Sequence, residues 1–328
     1  MSNPLETNGQ LANPTPENPP EGAILVKKQA AALGFDACGI ASAGAIDPDD
    51  GLGAWLGAGY HADMTWLAAT QALRQDPRRK LPGARSVVVV ARNYYAKRPR
   101  APVGSARVAR YAWGRDYHKV LKTPIVRLAR FLDELGDGIR SYISVDTGSV
   151  LECAWAVRAG VGWRGKNGLV LRRDLGSWFF LGVIITTVEL APDPACPDYC
   201  GACRACLDAC PTGALVAPGV VDARRCIAYH TVENRGEIPA TIQARIRPWL
   251  FGCDACQEVC PWNRRVHTTS EAAFHPRPGV ADPGLEELLA MERADFDSRF
   301  AGTPVRRAKY EGILRNARAV KGGEGTKA

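Results

Sequence analysis

Between Cys200 and Pro211 the chain reads C-G-A-C-R-A-C-L-D-A-C-P, with cysteines at 200, 203, 206 and 210 and a proline closing the run. Cysteines this dense leave a short loop little to do except hold metal. They are too tightly spaced to bridge one another without strain, so disulfides are a poor use of them. Paired Cys-x2-Cys units also build zinc sites, but a zinc knuckle has no use for a third cysteine at the same spacing or for a Cys-Pro close. The spacing Cys-x2-Cys-x2-Cys-x3-Cys-Pro instead suits two iron–sulfur cubes: three thiolates wrap one cube and the fourth serves the other.

A second cube needs its own ligands. Cys253, Cys256 and Cys260 supply them in C-D-A-C-Q-E-V-C-P, and Cys226 is the only cysteine between the two runs. With the ligand exchange of bacterial ferredoxins, Cys200, Cys203, Cys206 and Cys260 hold the first 4Fe-4S cluster. Cys210, Cys226, Cys253 and Cys256 hold the second. Cys38, Cys153 and Cys196 stay outside this set and are read as buried or incidental thiols.

The chain is long enough for two domains with real cores: 328 residues, 46% hydrophobic and 23% charged. A net charge of +8 suits an anionic partner, of which nucleic acid is the commonest. No stretch reaches the roughly eighteen apolar residues of a membrane helix; the longest, Trp178 to Leu190, is broken by Thr186, Thr187 and Glu189. Residues 1–22 are rich in Pro, Asn, Glu and Thr and lack Lys and Arg, which reads as a disordered tail without an export signal. Thiolate ligands that must stay reduced then imply a cytoplasmic address.

Ahead of the cysteines, helical periodicity runs from Gly22 to Leu33 and stops at Gly34, and shorter helices follow at 51–59 and 62–73. Ser86 to Ala91 is an unbroken β-branched run, a strand buried on both faces as in α/β folds. Lys97, Arg98, Arg100, Arg107, Arg110, Arg115, Lys119 and Lys122 interleave with Tyr94, Tyr95, Tyr111, Trp113 and Tyr117. Cations beside flat rings make a surface for single-stranded RNA; a basic loop over buried aromatics gives the same letters. A helix from Tyr117 to Leu135 and a strand from Arg140 to Asp146 come next.

Asp146 stands at the end of that strand, just before Ser149 and Glu152, whose spacing predicts a capping box and a helix from Val150 to Ala159. A carboxylate there is a candidate proton donor or acceptor if its surroundings raise its pKa, or else a surface aspartate helping a cap. Gly160 to Gly165 spells the dinucleotide fingerprint but follows a helix, so NAD binding is rejected. The glycine-dense loop ending in Lys166-Asn167 still lets backbone approach a large ligand. Residues 168–172 and 178–189 read as strands of a hairpin turning at 173–176. Arg306, Arg307, Lys309 and Arg315, then Asn316, Arg318 and Lys321, form a second basic patch before a loose end at 322–328.

The stretches R-Y-A-W-G-R-D-Y-H-K (110–119), S-V-D (144–146), A-G-V-G-W-R-G-K-N (159–167), V-D-A-R-R-C-I-A-Y (221–229) and G-C-D-A-C-Q-E-V-C-P-W-N (252–263), with the first cysteine run, resemble the epoxyqueuosine reductase family. That resemblance implies an iron–sulfur and cobalamin enzyme that finishes queuosine in tRNAs with GUN anticodons. The expected architecture is an α/β (α+β) cobalamin- and substrate-binding domain over 23–190. A ferredoxin-like double-cluster domain over 191–268 and a helical segment over 269–328 complete it. By resemblance Asp146 is the proton donor, Arg74, Lys166 and Asn167 line the cobalamin, and a ferredoxin or flavodoxin feeds a monomer away from any membrane. Asp116-Tyr-His118 lacks the rest of D-x-H-x-x-G, which agrees with a cobalt that takes no protein histidine. Many members continue past the Arg-Asn of 315–316 into helical repeats, and this chain stops soon after. Two rivals share the motifs. Reductive dehalogenases use the same cofactor set but typically follow a twin-arginine leader. A ferredoxin-type carrier with an appended binding domain would leave the long stretch before Cys200 without a task.

Overall fold

The computed structural model describes residues 19–46 and 51–323. Residues 1–18 of the expected tail and 324–328 of the expected loose end lie outside the described residues. Residues 19–22 are not tail: they open the first helix, α1 (Pro19–Ala32), which ends where Gly34 turns with φ 88°.

A four-stranded sheet organises the first half of the chain. Its strands are β1 (Ala37–Ser42), β2 (Ser86–Asn93), β3 (Ser141–Ser144) and β4 (Phe179–Thr186), in spatial order β1-β2-β4-β3. Every pairing is antiparallel, with Ser86 opposite both Ser42 and Thr186, and Ser141 opposite Thr186. The architecture is therefore the α+β form of the expected class.

The valine run of β2 divides its side chains by period two. Val88 and Val90 pack with Val26 and Ala30 of α1 and with Leu121, Ile125, Leu128 and Leu132 of α2 (Tyr117–Asp133). Val87 and Val89 face the other way, onto Trp155 and Ala156 of α3 (Glu152–Arg158). Both faces are covered, as the unbroken run requires. Gly182 of β4 lets α2 close on the sheet, because a Cβ there would stand 2.7 Å from Ile125 Cδ1.

Two local expectations are corrected. Helix α3 begins at Glu152, not Val150, and has no side-chain cap, because Glu152 is drawn back towards β3. Residues 168–172 and 178–189 do not form a hairpin: Val170–Leu171 pairs with Trp163–Arg164, while β4 enters the main sheet. Only an Arg172–Gly176 bridge closes the turn between them.

A second core joins residues 96–113 to 227–320, with Trp113, Phe251, Phe300 and Ile313 at its centre. Much of the expected RNA surface is consumed here. Arg98 pairs with Asp282 at 2.7 Å, Arg110 pairs with Glu258 at 2.9 Å and Asp254 at 3.3 Å, and their guanidinium groups lie over the rings of Trp113 and Trp178. Lys97, Arg100, Arg115, Lys119 and Lys122 remain exposed. Arg315 also turns inward from the second basic patch, donating to the carbonyls of His230, Asn234 and Gly236. Beside it Asn316, fully buried, donates to the carbonyls of Thr231 and Leu250. No helix among the described residues is long and apolar enough to cross a membrane.

Replacing Asn316 by Leu strands two buried carbonyls, each costing roughly 1–3 kcal/mol. Chemical denaturation will show Asn316→Leu less stable by that order, while Arg318→Ala on the exposed side of the same helix changes little.

Candidate functional site

The two cysteine runs each lead into one turn of helix, α4 (Ala205–Asp208) and α6 (Ala255–Glu258), which pack against each other. Between them in the chain lies α5 (Ile227–Val232), with Cys226 as its first flanking residue. This packing carries Cys260 back to the first run. Cys200, Cys203, Cys206 and Cys260 line one cavity of about 260 Å³ walled by Leu171, Tyr199 and Trp262.

Electrostatics couples thiols within each set and, at one point, across the two. Burial first, and then the charges of Cys200 and Cys206, push the Cys260 thiol up. Cys226 is raised by burial and by Cys210, and Cys256 by burial and then by Cys226, Asp254, Cys210 and Cys206, the last from the first run. Cys253 is raised by burial and then by Cys256 and Cys226. Opposing these shifts, backbone N–H groups point at sulfur: Ala214 N lies 3.2 Å from Cys210 Sγ, Ala228 and Tyr229 serve Cys226, and Ala255 serves Cys253. Donors aimed at sulfur favour the thiolate, which is the metal-binding form.

Asp146 occupies the turn after β3 with φ 60°, a left-handed conformation that costs a non-glycine residue roughly 1–2 kcal/mol. Glu152 holds it there, accepting from Asp146 N at 2.6 Å and from Ser144 Oγ at 3.0 Å. The Asp146 carboxylate accepts from Tyr117 Oη at 2.7 Å and stands 3.2 Å from His118 Nε2; its side chain is 60% exposed. His118 Nδ1 lies 2.7 Å from Asp116, the N-cap of α2.

The expected rise in the Asp146 pKa is not found. Burial pushes it up, but the hydrogen bonds from His118 and Tyr117 outweigh that and hold the carboxyl below the usual range. The raised groups are its neighbours. Burial works against the His118 charge, yet Asp116 and Asp146 lift its pKa to about 9. Burial and the charge of Asp146 lift Glu152 to about 7. Arg74, 9% exposed, donates to Thr70 Oγ1 and Val150 O and lies within charge range of Glu152 and Asp146. On the open side, Arg307 faces Asp146 while paired with Glu233 at 2.8 Å.

Lys166 and Asn167 sit apart from Arg74. Lys166 Nζ donates to Gly201 O at 2.5 Å and Cys203 O at 3.0 Å, and both residues line the first cysteine cavity. Residues 51–76 instead strap the second cysteine set. Trp55 Nε1 donates to Val221 O at 2.7 Å, Tyr229 donates to Asp63, and Arg224 lies over the Tyr60 ring.

Residues 199–263 match the family model of the 4Fe-4S double cluster binding domain, and residues 74–147 match that of epoxyqueuosine reductase QueG, DUF1730. An epoxyqueuosine reductase from Gloeobacter violaceus is 45% identical over 310 residues, covering 92% of this chain and 97% of its own. The chain belongs to the epoxyqueuosine reductase family. Two solved epoxyqueuosine reductases superpose with TM-scores of 0.83, each match covering 90% of this chain and 80% of the other. One, 34% identical, was crystallised with an epoxyqueuosine-modified tRNA-Tyr stem loop. The other, from Bacillus subtilis and 32% identical, has its catalytic aspartate loop swung out of the active site. In this epoxyqueuosine reductase family member the two matched segments divide the site between them. The first spans Arg74, Tyr117, His118 and Asp146, and the second spans the seven cysteines of the two runs together with Cys226.

Sequence reasoning missed Tyr117, His118 and Glu152. The signal was present in Asp116-Tyr-His118, read only as an incomplete cobalt motif, and in Glu152, read only as a cap. An NMR titration of the His118 ring will follow a pKa near 9, lowered in Asp116→Asn, which removes one of the two carboxylates that hold the proton.

Proposed function

We propose that this chain is an epoxyqueuosine reductase, taking the epoxide oxygen from epoxyqueuosine at the tRNA wobble position with two electrons and two protons. The supporting observation is one fold that joins two grouped sets of cysteines to a carboxylate whose neighbours store protons. The first domain, 23–190, carries the proton site, and the cysteine domain, 191–268, carries the electrons. The helical segment 269–328 brings Arg307 to the rim.

The residues present fit two 4Fe-4S clusters. Cys200, Cys203, Cys206 and Cys260 surround a cavity, and Cys210, Cys226, Cys253 and Cys256 repel one another unless cations lie between them. For the corrinoid, the fit is one of free donors: His61 Nδ1, in the strap at 51–76, is buried without a partner, and Arg74 closes the end of that segment. Of the other histidines, His118, His230 and His275 have ring nitrogens already engaged in hydrogen bonds. Cobalamin, when bound, supplies a low-valent cobalt that reduces the epoxide carbon. Arg74 and His61 are assigned to it, and Lys166 and Asn167 to the first cluster.

Asp146 gives its proton to the departing oxygen, so that no bare alkoxide leaves. At neutral pH the exposed carboxylate is ionised, and a nucleoside docked over it strips water and raises its pKa. His118, charged up to about 9, replenishes the proton through the contact at Nε2, and Asp116 holds the ring in line. Glu152 keeps the loop in its strained turn while this happens. The exposed cations Lys97, Arg100, Arg115, Lys119 and Lys122 hold the RNA backbone. A low-potential one-electron donor, a ferredoxin or flavodoxin, delivers electrons to a monomer in the cytoplasm.

The test is anaerobic turnover of reconstituted protein with cobalamin, reductant and tRNA carrying the epoxide, read by mass spectrometry as loss of one oxygen. Asp146→Asn keeps both clusters and slows turnover by roughly 10²–10⁴. Activity of the unchanged enzyme falls above pH about 9 as His118 deprotonates. Full-speed turnover by Asp146→Asn contradicts the assigned role.

A further inference from the structure

Asn167 is 5% exposed and lines the cavity framed by Cys200, Cys203, Cys206 and Cys260. Its Oδ1 accepts from Leu169 N at 3.2 Å, which fixes the orientation of the amide and leaves Nδ2 as the free end. Nδ2 is buried and has no hydrogen-bond partner. A buried donor without an acceptor is costly and rare in a folded chain. The acceptor this one lacks is an anionic group inside the cavity, and sulfur is what the four cysteines bring there.

The neighbouring residue points to the same place. Lys166 Nζ bonds the carbonyls of Gly201 and Cys203, so a positive charge is fixed on the loop between the first two cysteines. Gly165 makes the turn possible, because a Cβ there would stand 2.7 Å from Asn167 Oδ1 and 2.7 Å from Leu171 Cδ1.

We propose that Asn167 is a positioning residue of the first cluster. Its Nδ2 donates an N–H···S hydrogen bond to that cluster, and Lys166 adds a fixed positive charge beside it. Both favour the more negative, reduced cluster and raise its reduction potential, which eases uptake of an electron from outside. This rests on the reading of the first cysteine set as a 4Fe-4S site. The iron content of the unchanged protein tests that reading separately.

The experiment is an anaerobic redox titration of the full, cluster-loaded chain followed by electron paramagnetic resonance. Asn167→Leu, which keeps the bulk and loses the donor, lowers the reduction equilibrium constant of one cluster about tenfold, or about 59 mV for one electron. The other cluster does not move, and iron content is unchanged. Lys166→Met shifts the same cluster downward, and Lys166→Arg restores it. Two unmoved midpoints with full iron in Asn167→Leu overturn the proposal. If Asn167→Leu loses iron, Asn167→Gln decides, since it keeps the N–H: a potential near that of the unchanged protein supports the bond, and a tenfold loss overturns it.

Discussion

Thiols within charge range of one another resist ionising together unless something positive is placed among them, and several of the cysteines of the two runs are coupled in that way. Burial and mutual repulsion push Cys206, Cys226, Cys253, Cys256 and Cys260 upward, while backbone N–H groups aimed at Cys226 and Cys253 draw the other way. In the proposed reading iron replaces these protons, and the free energy of metal binding then adds to that of folding. The strap at 51–76 closes on Val221 and Tyr229, and Arg315 and Asn316 brace the far end of α5, whose start is Cys226.

The proton site solves the opposite problem. In the role proposed for Asp146, a single carboxylate gains and loses a proton while its loop stays in a costly turn. Glu152 meets the second need by gripping Asp146 N, and Tyr117 and His118 meet the first by hydrogen-bonding the carboxylate. Partly buried Tyr111 lies within charge range of both Asp146 and Asp254, the neighbour of Cys253.

Local chemistry was legible in the sequence, and long-range pairing was not. The cysteine runs could be read because ligand spacing is fixed within one turn of chain, and the place of Asp146 at a strand end because that strand is short. The valine run of β2 announced burial on both faces, but parallel and antiparallel strands covered by helices look alike, so the antiparallel sheet was hidden. Arg98 and Arg110 read as an RNA surface because the acids that bury them, Asp254, Glu258 and Asp282, lie more than a hundred residues further on. Glu152 read as a cap because nothing in its spacing says that Ser144 and Asp146 N reach it first. The direction of the Asp146 pKa shift is likewise a property of its partners across the fold, not of its place in the chain.

The central claim is the exchange of ligands between the two runs, which makes Cys260 a partner of Cys200 although it follows Cys256 by one helical turn. Iron counting on reconstituted single and paired cysteine variants tests this directly. The account predicts that Cys260→Ala lowers iron from about eight to about four atoms per chain, and that adding Cys200→Ala removes no more. Adding Cys256→Ala to Cys260→Ala abolishes both clusters. The reverse pattern, with Cys256 and Cys260 behaving as one site, contradicts it.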